Sequence, residues 1–146
     1  MTTSRILRPL LAMLGVAVVV SVVHYVDNYV NYDDYPSAEP GTWLSSVEPS
    51  ATLVAVGWFV FTAAGVLGVW LLTREHIAAA AVAIAVYSGS GLVGFAHYAV
   101  PGALDMPWWR HAHVVADIVC GLALFAFALW MAVRLRPSPA SRGTAR

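Results

Sequence analysis

Charged residues are scarce in this chain, and lysine is missing altogether. Only 11% of the 146 residues are charged, whereas a soluble globular domain carries about 25%. Because 60% of the residues are hydrophobic, too few polar side chains remain to cover the exterior of a soluble domain. The formal net charge is zero, which gives no indication of nucleic acid or another polyanionic partner. The composition therefore excludes an ordinary soluble domain and indicates a membrane protein.

Cysteine is almost absent as well. The single cysteine, Cys120, lies in an apolar run and has no second thiol in the sequence with which to form a disulfide. The compact metal motifs H-E-x-x-H and C-x-x-C are also missing. A metal site in this chain would therefore need ligands from separate segments.

Long apolar runs are what the sequence has in abundance. Each of four runs is close to the ~20 residues that a helix needs to cross a ~30 Å hydrocarbon core. Prolines fall near their ends or between them, where they interrupt helices least. The sequence predicts an all-α, four-helix transmembrane bundle in a single membrane domain, residues 1–136, followed by a disordered cytoplasmic tail, residues 137–146. The predicted spans are about 6–26, 51–72, 77–100 and 108–133.

The arginines predict the orientation of the bundle. Seven of the eight fall on one side of the four runs, and Arg110 is the exception. By the positive-inside rule, that side is the cytoplasm, so both termini are predicted to be cytoplasmic in a cell-membrane protein. The first run is expected to remain as an anchor, because no A-x-A-like cleavage site follows it. The outer segment of about 24 residues, 27–50, is rich in tyrosine and is expected to form an ordered cap.

Four of the five histidines map to the outer half of the predicted bundle. His76 is the fifth, at the cytoplasmic interface, and is expected to be solvated. Asp27 follows His24 by three residues and Asp117 follows His113 by four, so each carboxylate shares a helix face with a histidine. Asp117 lies roughly 13 Å into the last helix at ~1.5 Å per residue, a depth at which a lone carboxylate is costly. The candidate site consists of His24, His97, His111, His113, Asp27 and Asp117.

Imidazole and carboxylate ligands suit a divalent metal such as zinc or iron. The sequence predicts His24, His97 and His113 as metal ligands. It predicts Asp117, Asp27 and His111 as catalytic residues, with His113 as the nearest partner of Asp117. Such a site would face outward and act on a hydrophobic, lipid-like substrate.

Other functions remain open at this stage. His–Asp pairs can transfer protons without a metal, for example in an isomerisation or cyclisation. His24 with His97 or His113 could ligate a haem, and a quinone site is a related possibility. The same residues could instead tie helix ends together or bind a partner membrane subunit. A transport path would require a homo-oligomer.

Small residues predict where the helices approach one another, since lipid offers no hydrophobic drive for helix association. The second run carries Gly57, Ala64, Gly65 and Gly68. The third run carries a dense group at Ser88, Gly89, Ser90, Gly91 and Gly94.

Overall fold

A computed structural model describes residues 3–134, and the tail predicted to be disordered, 137–146, lies outside this range. The regular structure of the described part is entirely helical. The α-helices are α1 (Thr3–Val30), α2 (Trp43–Val47), α3 (Ala51–Thr73), α4 (Ile77–Leu92) and α5 (Trp108–Arg134). Short 3-10 helices cover Tyr32–Asp34, Val93–Ala99 and Ala103–Asp105.

Four helices are long and apolar enough to cross a membrane, as the four apolar runs predict. They cover Arg5–Val30, Ala51–Thr73, Ile77–Ala99 and Trp108–Arg134. The first extends four residues beyond its expected end, because Asp27 and Asn28 find polar partners within the bundle. His24 therefore lies inside α1 and not at its end. The cytoplasmic placement of both termini stays a prediction.

The four long helices surround a common core. Helix α1 packs against α3 and α5, and α4 also packs against α3 and α5. The connections 31–50 and 100–107 lie at one end, called here the loop end. The core toward the other end is purely hydrophobic. It includes Ile6, Leu10, Leu72, Ile84, Leu124 and Met131.

Glycines bring the backbones of α4 and α5 into contact. A Cβ atom on Gly91 would lie 2.2 Å from the carbonyl oxygen of Asp117, and one on Gly121 would lie 2.8 Å from that of Ser88. Only glycine fits at this distance, as in other closely packed membrane helices. Gly57 differs, since a Cβ there would meet nothing within 4 Å. The contact places Asp117 directly against α4.

The third span is not one continuous α-helix, which corrects the expectation from its apolar run. It changes to a 3-10 helix at Val93 and continues so to Ala99. Glycine is a poor helix former, and Gly89, Gly91 and Gly94 surround the change. Because residues three apart share a face of a 3-10 helix, Gly94 and His97 lie on one face, which is turned toward α1 and α5. The Cβ position of Gly94 lies only 3.6 Å from the His24 ring.

The segment 31–50 folds against the loop end, consistent with the expected cap. Tyr35 and Ala38 are buried. The Tyr32 hydroxyl donates a hydrogen bond to the carbonyl oxygen of Pro49, which joins the two ends of the segment. The side chain of Ser50 caps the first turn of α3.

Candidate functional site

A histidine from α1 and an aspartate from α5 form a buried pair at the centre of the site. His24 Nδ1 lies 2.8 Å from Asp117 Oδ2. Only 2% of His24 and 1% of Asp117 are exposed. The Asp117 carboxylate thus has the polar partner that a carboxylate buried within an apolar span is expected to need.

The pairing crosses between helices, which corrects the prediction that His113 is the nearest partner of Asp117. Asp117 pairs with His24, while His113 Nε2 lies 3.3 Å from Asp27 Oδ2. The two helices run antiparallel, so the deeper residue of α1 meets the deeper residue of α5. Residues that share a helix face point together toward the neighbouring helix and not toward each other.

A second histidine extends the pair to the 3-10 helix of the third span. His97 Nε2 lies 3.3 Å from His24 Nε2 and 2.9 Å from the Asn28 amide nitrogen. His24 therefore uses one ring nitrogen for a carboxylate and the other for an imidazole. Asp117, His24 and His97 form a continuous polar chain across three helical elements.

Arg110 organises a separate network closer to the cap. Its Nε donates to Asp27 Oδ2 at 3.1 Å, and its Nη1 donates to the carbonyl oxygen of Asp34 at 3.1 Å. The guanidinium also stacks 4.4 Å from the centre of the Tyr35 ring. The Tyr35 hydroxyl donates to Asp27. This network joins α1, α5 and the cap.

Tyr35 lies in the cap, outside the spanning helices. Burial, followed by its hydrogen bond to the Asp27 carboxylate, raises the pKa of the Tyr35 hydroxyl above its usual value of 10.0. The cause is physical, since a phenolate there would lose hydration and face a carboxylate. Tyr35 therefore stays a hydrogen-bond donor over the physiological range.

His113 and His111 take different positions. The side chain of His113 is 10% exposed, within ion-pair distance of Asp27, but neither ring nitrogen has an aligned hydrogen-bond partner among the described residues. His111 turns away from the cluster and stacks on Tyr98, whose hydroxyl lies 3.1 Å from His111 Nδ1. The structure therefore brings together five of the six candidate residues and leaves His111 apart.

The predicted metal ligands His24, His97 and His113 are not supported as a metal site. Within residues 3–134, no group of three or more His, Cys, Asp or Glu side chains is arranged to hold a metal ion. Two of the three imidazoles already have partners, because His24 Nδ1 contacts Asp117 and His97 Nε2 contacts His24 and Asn28. The cluster is held by contacts among imidazole, amide and carboxylate groups, and no zinc or iron site is supported among the described residues.

A cavity of about 620 Å³ adjoins the polar chain. Its volume lies within the ~300–1,000 Å³ typical of small-molecule sites. His24, Asn28 and His97 form a polar group on its wall, and the segment 32–49 contributes its cover. Apolar side chains of α3 and of the third span form much of the remaining wall, among them Leu53, Val54, Phe61 and Val93, and Val100 adds to it directly after the span.

Sequence reasoning missed Asn28, Arg110 and Tyr35 as members of the site. Arg110 carried a usable signal, because it is the one arginine outside the cytoplasmic group and lies near acidic residues of the predicted outer loop. Asn28 is four residues after His24, so it shares that helix face. Tyr35 carried no separate signal among several tyrosines of the loop.

Comparison with known proteins finds no family model, no curated protein and no solved structure that matches the chain. The function must therefore be argued from the geometry.

Proposed function

We propose that the protein is a membrane enzyme that transfers protons on a lipid-like substrate, through His24, Asp117 and His97. The observation that carries the proposal is the buried His24–Asp117 pair at 2.8 Å, linked to His97 on the wall of a cavity. A carboxylate that orients an imidazole is a common arrangement for acid–base catalysis. The orientation predicted by the arginines would place this cavity on the outer side of a cell membrane.

The hydrogen-bond contacts suggest where the protons reside. If Asn28 donates from its amide nitrogen, His97 Nε2 is the acceptor. His24 Nδ1 contacts the Asp117 carboxylate, and the 3.3 Å contact between the two Nε2 atoms lets a proton pass from one imidazole to the other. The two imidazoles together offer an acid beside a base.

This arrangement suits a reaction without a net change of atoms. One imidazole takes a proton from the substrate, and the other returns a proton at a second position, as in an isomerisation or cyclisation. Transfer of a proton across the 3.3 Å contact between His24 and His97 then restores both rings. Asp117 holds the His24 ring in place and does not reach the substrate itself. Asp27 is a positioning residue in this proposal, because Arg110 and Tyr35 already hold its carboxylate.

The test compares lipid composition with and without an intact pair. Wild-type protein, His24→Gln and Asp117→Asn are purified in lipid nanodiscs and incubated with a total lipid extract of the host. Liquid chromatography coupled to mass spectrometry, which separates isomers of equal mass, should show at least one lipid species that is consumed or formed with wild type alone. His76→Gln is the matched control, because His76 is an exposed histidine away from the site.

Circular dichroism and gel filtration must show that each variant is folded before its lipid profile is compared. The proposal is contradicted if the wild-type profile equals the profiles of His24→Gln and Asp117→Asn over the full time course.

A structural role is the alternative that a specific observation favours. The network of Arg110, Asp27, Tyr35 and Asp34 ties two helices to the cap, which supports a role of the polar residues in holding the bundle together. The corresponding function is that of a structural or accessory subunit of a membrane complex. Under this alternative, His24→Gln and Asp117→Asn would weaken assembly and leave lipids unchanged. Haem ligation by His24 and His97 is less compatible, because their Nε2 atoms are already at hydrogen-bond distance.

A further inference from the structure

The cavity combines one polar area between the helices with apolar walls, and the cap adds two exposed carboxylates, Asp33 and Glu48. His24, Asn28 and His97 supply hydrogen-bond donors and acceptors at one place. Leu53, Val54 and Phe61 of α3 supply an apolar wall. A ligand that fits both needs a single polar group on a hydrocarbon body.

The charges around the cavity select among polar groups. Neither arginine nor lysine is among the described residues that line it, whereas Asp33 and Glu48 line it and are exposed. The nearby cation, Arg110, is only 4% exposed and is committed to Asp27 and the Asp34 carbonyl. A phosphate or carboxylate would therefore meet two negative charges and no free guanidinium.

We infer that the cavity binds an uncharged amphiphile with one hydroxyl or carbonyl group, and that it rejects anionic lipids of the same chain length. Binding of this ligand is inferred from the cavity alone. The reaction of the bound ligand rests on the proposed function. The polar group lies beside His24 and His97, where a proton can be transferred. The hydrocarbon body lies along α3.

Gly57 offers a direct way to fill the cavity. It lines the cavity, and a Cβ there would meet nothing within 4 Å. The Cβ of a leucine at this position therefore displaces no neighbour, and we expect the rest of its side chain to occupy ligand space. Gly15 is the matched control, since a Cβ there also meets nothing within 4 Å and the residue lies on the exposed face of α1.

The experiment uses a diazirine-bearing oleyl alcohol as a photoactivatable probe on the full chain in nanodiscs. Labelling of wild type should saturate and should map by mass spectrometry to the α3 wall. Unlabelled oleyl alcohol should compete, and oleyl phosphate should compete about tenfold less well because of like-charge repulsion. In the double variant Asp33→Asn/Glu48→Gln, oleyl phosphate should compete almost as well as oleyl alcohol. The competition by oleyl alcohol itself should stay as in wild type.

Gly57→Leu should lose saturable labelling, while Gly15→Leu should label as wild type does. If Gly57→Leu does not fold, Val54→Phe fills the same wall and takes its place. Equal competition by oleyl phosphate and oleyl alcohol would overturn the inference, as would saturable labelling of a folded, filled variant.

The two proposals fail in different ways. If the alcohol binds saturably but the lipid profile never depends on His24, the ligand class stands and the enzymatic function fails. If lipids are converted in a His24-dependent manner while the alcohol does not bind saturably, the ligand class fails and the function stands.

Discussion

Asp117 is stable within an apolar helix because an imidazole from another helix meets its carboxylate. The 2.8 Å contact with His24 replaces the hydration that the carboxylate loses on burial. The Gly91 contact holds the backbone of Asp117 against α4. The position of Asp117 is therefore determined by the glycine contact with α4, whereas its carboxylate is compensated by His24 of α1.

A double-mutant cycle tests the pairing at the level of residues. Asp117→Asn should lower the free energy of unfolding by about 3–5 kcal/mol, because it leaves a buried partner uncompensated. Combining it with His24→Gln should cost less than the sum of the two single changes. The measurement is reversible unfolding in detergent, and the control cycle pairs Asp117→Asn with His113→Gln.

Coupling of Asp117 to His113 in place of His24 would contradict the cross-helix pairing and restore the pairing along α5.

Tyr35 predicts a pH dependence of stability. Its pKa is raised in the folded state, so its contribution to stability is fully present below about pH 10, the pKa of an unfolded tyrosine. The contribution falls as the pH rises above that value, because only the unfolded state releases the proton. Tyr35→Phe should therefore reduce the loss of stability above pH 10, as measured by thermal unfolding from pH 8 to 11.

Tyr29→Phe, on the exposed end of α1, is the control for tyrosines in general. An identical alkaline loss in Tyr35→Phe and in wild type would show that Tyr35 does not titrate as described.

At the scale of helices, the contact between α4 and α5 is the tightest point of the bundle. Gly91→Ala would place a methyl group 2.2 Å from the Asp117 carbonyl oxygen. The helices must then separate, and we expect the free energy of unfolding to fall by about 1–3 kcal/mol because of overpacking. Gly15→Ala is the control, since its Cβ meets nothing within 4 Å. Thermal unfolding in detergent measures both, and equal midpoints would refute the close contact.

The sequence predicts the spans well because hydrophobic length has one physical meaning in a bilayer. It does not predict the partner of Asp117, since that depends on how far α1 is shifted along α5. Spacing within one helix shows only that His113 and Asp117 share a face. The change to a 3-10 helix at Val93 could not be predicted from the apolar run either, because an apolar run is compatible with both types of helix.

The candidate site was predictable as a set of residues but not as a metal centre. The residues come together because the antiparallel helices bring the ends of three spans to one level. Their donor atoms, however, are directed at one another, and only side-chain coordinates show this. His111 illustrates the same limit, since it lies only two positions before His113 in the sequence but contacts Tyr98 and not the cluster.

At the scale of the whole molecule, the orientation in the membrane determines which side supplies the ligand. Cysteine labelling tests the predicted topology in a Cys120→Ser background. Ser46→Cys, in the cap, should react with a membrane-impermeant maleimide on intact cells. His76→Cys, at the opposite end, should react only after the membrane is opened. The reverse pattern would place the cavity on the cytoplasmic side.

The most direct test of proton transfer is deuterium uptake into lipid carbon. Wild-type protein in nanodiscs, supplied with host lipids in D₂O, should introduce deuterium at a carbon position of at least one lipid. His24→Gln and Gly57→Leu should each abolish this uptake, while His76→Gln and Gly15→Leu should retain it. Uptake that is absent from wild type, or equal in all five proteins, would contradict an acid–base site at His24 and His97.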